Sequence, residues 1–379
     1  MNRLPVTVVG GFLGAGKTSL LHYMISEHRG GHLAVLVENP GPLNLDAKAL
    51  RGLCGAMGRT NDAVFEIPNG NEALQVGAIA RTLRDLAQSA RFERVLIEVA
   101  GTSNPAVLAE QAEAFSESAN IEQIICVIDA LDFHRTGLEP ARNNWRWDFL
   151  NSQMAGSTLV VLNKSDLATD LERNQILTAI SDLHPRALLA ETAFGEIAPE
   201  VWARAASADD LEAAFQHRST FRLPSGYDAP DEPTLSSALY RTHRPFHPQR
   251  FWDWFEADHP GLLRVKGLIW LATRNLLVGG VSRTNRQNSC GAAGIWWAAL
   301  PREEWPEEPD ALKRMQETWR EPYGDRRQEL VLIGEVQLLS GAVRRELDAC
   351  LLTDAEFARP VKEWASFPDP FPAWDLEEG

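Results

Sequence analysis

The stretch Gly10–Ser19, Gly-Gly-Phe-Leu-Gly-Ala-Gly-Lys-Thr-Ser, constrains this 379-residue chain more than any other. It contains G-x-x-x-x-G-K-[ST], the phosphate-binding loop pattern, running from Gly11 to Thr18. Pro5–Val9 reads as a buried strand before it, and Ser19–Ile25 as a helix after it. Glycines let such a loop curl until successive N–H groups face one anion. The helix N-terminus adds partial positive charge at the same point. Gly11, Gly14, Ala15, Gly16, Lys17, Thr18 and Ser19 are therefore a candidate phosphate cradle. Lys17 is placed to reach the β- and γ-phosphates, and the Thr18 hydroxyl to ligate Mg²⁺. The bland alternative is a glycine-rich turn that matches by accident; the strand, loop and helix in order argue against it.

Further strand–helix units follow. Leu33–Val37 is an apolar strand leading into Glu38–Asp46, a loop with two prolines and a glycine. Loops at the C-terminal ends of parallel strands surround the ligand in an open α/β sheet. Asp46 is thus a candidate for the metal or the catalytic water, with a helix N-cap as the competing role. Phe65-Glu66-Ile67 precedes a turn-rich segment, Pro68–Glu72, and a helix near Ala73 to Ser89. Arg94–Val99 is a strand that delivers Glu98 and then Gly101. An acid there holds Mg²⁺ or orients water, while the glycine lets its N–H approach the γ-phosphate. Ile124–Ala130 and Leu159–Leu162 are further central strands. The second runs directly into Asn163-Lys164-Ser165-Asp166. N-K-x-D is weak alone, but behind a buried strand and a phosphate loop it points to guanine. Asp166 can accept from guanine N1–H and N2–H₂, Asn163 can bond the base edge, and the Lys164 stem can lie over the ring. Adenine lacks the N2 amine and would leave the carboxylate unpaired. A last strand near Ala187–Ala190 leads into Thr192–Glu196, a loop placed to close over the base.

The alternation predicts a doubly wound, mostly parallel P-loop NTPase sheet, with a second, smaller α+β domain behind it. We expect the GTPase domain over 1–215, a linker over 216–235 where breakers replace periodicity, and the second domain over 236–379. Nine of the twelve tryptophans lie between Trp252 and Trp374. Tyr240–His247 reads as a strand and turn, Pro248–Phe255 as a helix opened by proline, and Leu262–Leu271, Ile295–Ala298 and Glu329–Gly334 as strands. Ala342–Leu351 reads as a helix. The aromatic density fits a core better than a partner surface. His243 and His247 make a weak metal pair, because Pro245 between them spoils helical spacing. His22, His28 and His32 read as solvated residues around the end of the first helix.

The net charge of −15 opposes phosphate backbones, which argues against nucleic acid as a partner. No apolar run approaches the roughly 20 residues needed to cross a bilayer, so no membrane role is expected. The first strand begins almost at once, leaving no room for a signal peptide, so cytoplasm is the expected location. Cys54, Cys126, Cys290 and Cys350 are far apart and read as small buried residues rather than thiolate ligands.

Taken together, the chain resembles the CobW-like GTPases, a family of GTP-dependent metallochaperones and metalloenzyme activators. The likeness rests on Gly10–Thr18, Glu98–Pro105, Val127–Ala130 and Asn163–Asp166 in the first half. In the second it rests on Arg244–Pro248 with Arg250-Phe251, Lys266-Gly267, Gly324–Glu329 and Asp369–Pro372. The resemblance implies GTP and GDP with Mg²⁺, a client metalloprotein, and a cargo metal such as zinc, cobalt or iron. Two departures stand out. The family's Cys-x-Cys-Cys after Asn-Gly is replaced here by Asn71-Glu72-Ala73-Leu74 behind Asn69-Gly70. Relatives carry a sequence resembling Asn-Glu-Phe-Gly-Glu where this chain has Glu38-Asn39-Pro40-Gly41-Pro42, although Asp46 matches a family aspartate. Thiolates favour zinc and other soft or borderline ions, so the cargo site is expected to be altered or lost.

The expected activity is slow GTP hydrolysis, with no arginine finger evident in the loops, coupled to maturation of a metal-dependent partner. Two versions follow. In one, Glu38, Glu66 or Glu72 builds an oxygen-rich cargo site. In the other, the protein is a conformational switch without cargo. A P-loop small-molecule kinase and a non-hydrolysing scaffold are the rivals from other classes.

Overall fold

A computed structural model of the chain describes residues 3–38, 45–57, 62–67, 72–105, 108, 111–137, 145–207, 209–212, 214, 235–284, 288–306, 309–339 and 341–374. The chain divides into two compact units, the second beginning after residue 233. Of the expected linker 216–235, only Leu235 is described, as the first residue of a strand.

The first unit is a seven-stranded sheet: β1 (Leu4–Gly10), β2 (His32–Glu38), β3 (Ala63–Ile67), β4 (Phe92–Glu98), β5 (Ala119–Asp129), β6 (Leu159–Asn163) and β7 (Leu188–Glu191). Its order is β3-β2-β4-β1-β5-β6-β7, and every pairing is parallel. The helices α1 (Lys17–Glu27) and α2 (Leu45–Ala56) pack on one face, where Leu20, Leu21, Met24 and Leu50 meet Val9, Val35 and Val37. On the other face α3 (Glu72–Ser89) sets Val76, Ile79, Leu83 and Leu86 against Val6, Val8, Leu36 and Ile97. Burial on both faces explains why the inner strands read as continuous apolar runs rather than alternating ones. Each fully buried Val or Leu contributes about 1.5–3 kcal/mol of transfer free energy, so these runs dominate the sheet's stability. Strand β1 lies between β4 and β5, where the winding direction reverses. That crevice at the strands' carboxyl ends is where this architecture holds ligands.

The second unit is an antiparallel sheet in the order β11-β10-β9-β12-β8. Its strands are β8 (Leu235–Thr242), β9 (Leu262–Ile269), β10 (Leu277–Thr284), β11 (Asn288–Ile295) and β12 (Gln328–Glu335). The helices Pro248–Glu256 and Ala342–Cys350 share its core, with Phe251, Phe255, Val343 and Leu347 buried among strand residues. Trp270, Trp296, Trp364, Tyr240 and Phe246 are also fully buried, so the aromatic richness serves a core. One expectation changes, and one hairpin is added. Ile295 ends β11, and Trp297–Ala299 forms a 3₁₀ turn instead of continuing the strand. The β10–β11 hairpin escapes a propensity reading because Gly279, Gly280, Gly291 and Gly294 weaken its strands; pairing with β9 supplies the order.

Candidate functional site

Gly11, Gly14 and Gly16 adopt φ of 132°, 81° and 101°, the left-handed region that the loop's curl requires. Gly16 is also closely overlaid: a Cβ there would lie 2.1 Å from Asn163 Nδ2. As N-cap of α1, Gly16 brings no side-chain acceptor, and no acid occupies the first turn. The helix therefore presents its first N–H groups uncapped beside the loop, the physical basis of an anion site. Lys17 is 5% exposed and donates to the carbonyls of Gly11 (2.8 Å) and Phe12 (3.2 Å). Ser19 follows Thr18 in the first turn of α1.

Thr18 Oγ1 donates to Glu98 Oε1 at 3.1 Å, joining residues 80 positions apart. Parallel pairing of β1 with β4 brings this about, with Val9 opposite Glu98. A hydroxyl and a carboxylate are hard oxygen donors, a set that fits Mg²⁺. Gly101 lies in the turn beyond Glu98, and a Cβ there would sit 2.7 Å from the Leu13 backbone nitrogen. The turn thus lies directly on the phosphate loop, and only glycine permits that approach.

Glu38, at the end of β2, is buried and accepts three hydrogen bonds. They come from Ala100 N–H (2.8 Å), Ser103 Oγ (2.8 Å) and Gln75 Nε2 (2.7 Å). Glu66 is exposed and pairs with Arg51 at 2.7 Å. Neither placement builds the oxygen-rich cargo site expected from these carboxylates. The Glu72 side chain lies outside the described residues. No group of three or more His, Cys, Asp or Glu able to hold a metal occurs among the described residues. Helix α2 begins at Leu45, so Asp46 is its second residue and not its N-cap; the Asp46 side chain lies outside the described residues.

At the next strands, the N-K-x-D turn is tied in unexpected ways. Asn163 is buried, and its Nδ2 donates to Ala15 O (2.8 Å) while its Oδ1 accepts Gly195 N–H (3.1 Å). Its amide therefore ties the phosphate loop to the Thr192–Glu196 loop, using one N–H and one oxygen lone pair. Lys164 adopts φ 58°, and its Nζ pairs with Asp129 Oδ2 at 2.7 Å. Asp129 also caps the helix Ala130–Gly137 through the N–H groups of Leu131 and Asp132. Sequence reasoning gave Asp129 no role, although it is an acid ending a central strand, as Glu98 is. Asp166 is exposed in the 3₁₀ turn Ser165–Leu167, open to a ligand rather than buried beforehand.

The remaining candidates separate from this edge. His247 caps the helix Pro248–Glu256 and packs against Phe367 with the rings tilted at 43°. His243 Nδ1 faces Arg326 O at 3.2 Å. Burial lowers the pKa of both. His28 is not solvated: its side chain is 11% exposed and packs beside Trp202. Burial raises the Cys126 and Cys350 thiols to about 12, consistent with inert packing.

The parallel sheet, the curled glycine loop at its reversal point and the Thr18–Glu98 pair define a P-loop NTPase domain. Residues 5–190 match the model of the CobW/HypB/UreG nucleotide-binding domain, and residues 235–351 that of the cobalamin synthesis protein cobW C-terminal domain. The chain belongs to the CobW family. It is 30% identical over 407 residues to zinc-regulated GTPase metalloprotein activator 1 of Dictyostelium discoideum, covering 97% of this chain and 84% of that protein. It is 32% identical over 189 residues to the zinc chaperone CobW of Pseudomonas aeruginosa, covering 43% of this chain and 49% of that protein. Among solved structures, Zn(II)-bound YjiA GTPase from E. coli aligns with a TM-score of 0.36 at 17% identity, over 93% of this chain and all of that one. No helix among the described residues is long and apolar enough to cross a membrane.

Proposed function

We propose that this protein binds GTP and hydrolyses it slowly, using the cycle to activate a metal-dependent client protein. The observation that carries the reading is the meeting of Thr18 and Glu98 beside an uncapped helix N-terminus. Mg²⁺, held by the Thr18 hydroxyl and the Glu98 carboxylate, would supply charge neutralisation for the phosphates. The Lys17 ammonium, already turned toward the loop, would exchange carbonyl contacts for phosphate oxygens. Loop and helix N–H groups would take further phosphate oxygens, and Asp166 would read guanine N1–H and N2–H₂. Loss of the γ-phosphate would release the turn at Gly101 from the loop, reshaping the surface offered to a partner.

A cargo-free switch is the second reading, favoured by Glu38. Its carboxylate already serves three donors, so metal binding there would have to break that set. Calorimetry tests both readings. Pure protein with Mg²⁺ should bind GDP and reject ADP, and Asp166→Ala should abolish the preference. Absence of heat with GDP, or a preference for ATP that survives Asp166→Ala, rules the GTPase reading out. Zinc titrated into the GTP-loaded protein gives no stoichiometric heat if the switch carries no cargo; one equivalent bound only with GTP shows a rebuilt cargo site.

A further inference from the structure

Phe194 is the residue that the guanine reading leaves unused. It lies in the loop after β7, is 74% exposed and adopts φ 58°. A scattered exposed apolar residue needs no explanation. An exposed aromatic held in left-handed backbone is different, because that conformation is costly and persists only where surroundings enforce it.

The enforcement is visible. Thr192 N–H donates to Leu162 O (2.9 Å), and Thr192 O accepts both Ser165 N–H (3.1 Å) and Ser165 Oγ (3.0 Å). Thr192 Oγ1 donates to Glu196 O at 2.6 Å, closing the loop on itself. Gly195 N–H donates to Asn163 Oδ1. Every one of the external ties runs to residues 162–165, the end of β6 and the turn that carries Lys164 and Asp166. Because β6 and β7 are parallel neighbours, both loops leave the same edge of the sheet. The exposed Phe194 is thus carried by an anchored backbone beside the turn that bears Lys164 and Asp166. Lys164 completes the arrangement. Its ammonium is held by Asp129, so its methylene stem is what it can offer to a neighbour.

We propose that Phe194 is a nucleobase platform: its ring stacks on one face of the guanine while the Lys164 stem covers the other. The assignment rests on the GTP-binding reading above. Stacking is blind to base identity, since every base has a π-face. Phe194 therefore sets affinity, and Asp166 sets the choice of purine.

Calorimetric titration of the full chain with GDP and Mg²⁺ separates these roles. Phe194→Ala and Phe194→Gly should each weaken GDP about tenfold and leave the GDP-to-ADP ratio unchanged, while Phe194→Tyr stays within about twofold. Phe194→Trp adds a spectroscopic signature, as its extra fluorescence over wild type should be quenched by GDP. If wild type binds GDP and Phe194→Ala and Phe194→Gly bind it equally well, the platform is overturned and the guanine reading stands. If wild type does not bind GDP, that reading falls first and the platform with it.

Discussion

Lys17 and Asp166 of the first unit and Asp369 of the second all belong to motifs that stand out in the sequence, yet the structure uses them in opposite ways, pairing Asp369 with Arg274, which no motif marks. Lys17 rests on backbone carbonyls and Asp166 is exposed, so each can turn to a ligand without breaking an ion pair with the other. Arg274 and Asp369 face each other through two bonds of 2.9 Å. Arg274 also donates to Pro372 O and Phe371 O, and lies 4.3 Å from the Trp374 ring centroid. The neighbouring motif behaves alike: Asp325 accepts the Trp297 and Ala298 N–H groups, and Gln328 bridges Arg244 O and both backbone groups of Trp270. Lys17 and Asp166 are engaged by no ion pair with each other, whereas Arg274, Asp325, Gln328 and Asp369 hold the chain to itself.

The largest effect that sharpens this contrast comes from Lys17→Ala. GTP turnover should fall by a factor on the order of 10²–10³, read as phosphate release, because a charge aimed at the phosphates is lost. Melting temperature should change little. A matching collapse in stability would instead make Lys17 a brace like those of the second unit.

Arg274→Ala is the complement. It strips Asp369, two carbonyls and two rings of their partner in a mostly covered site, with side-chain exposures of 14% and 18%. Denaturant unfolding should show a loss of about 2–4 kcal/mol, with GDP affinity unchanged. Lost affinity in the folded variant would break the comparison.

The smallest effect concerns pH. Hydrogen bonds from Arg250 hold the Glu356 carboxyl down at about 2, against an ordinary value of 4.5. The folded value lies below the unfolded one, so the stabilisation is complete above pH 4.5 and fades as pH falls through about 2. Partial exposure limits it to on the order of 1 kcal/mol. Glu356→Gln should flatten the pH dependence of unfolding across that window; an unchanged slope would show that the pair is screened away.

What the sequence disclosed follows the same division. The places of the phosphate loop, Glu98 and the N-K-x-D turn in the fold were legible because each lies at the end of an apolar strand. The ties of Asn163 to Ala15 and Gly195 were not legible, since spacing does not show which backbone groups a side-chain amide will meet. Glu38 was legible as a carboxylate but not as an acceptor for Gln75 and Ser103, which lie 37 and 65 residues away. In the second unit, Arg274 and Asp369 are 95 residues apart, so nothing local announces the pair. The β10–β11 hairpin was hidden by its glycines.

The placement of Glu38 has a mechanical corollary. One carboxylate splices the exit of β2 to the bend after Glu98 and to the opening turns of α3. Pull that bend outward and the Ala100 and Ser103 bonds part, leaving Gln75 as the donor still holding the carboxylate. A shift at that bend would thus be felt at the start of α3 through a single side chain.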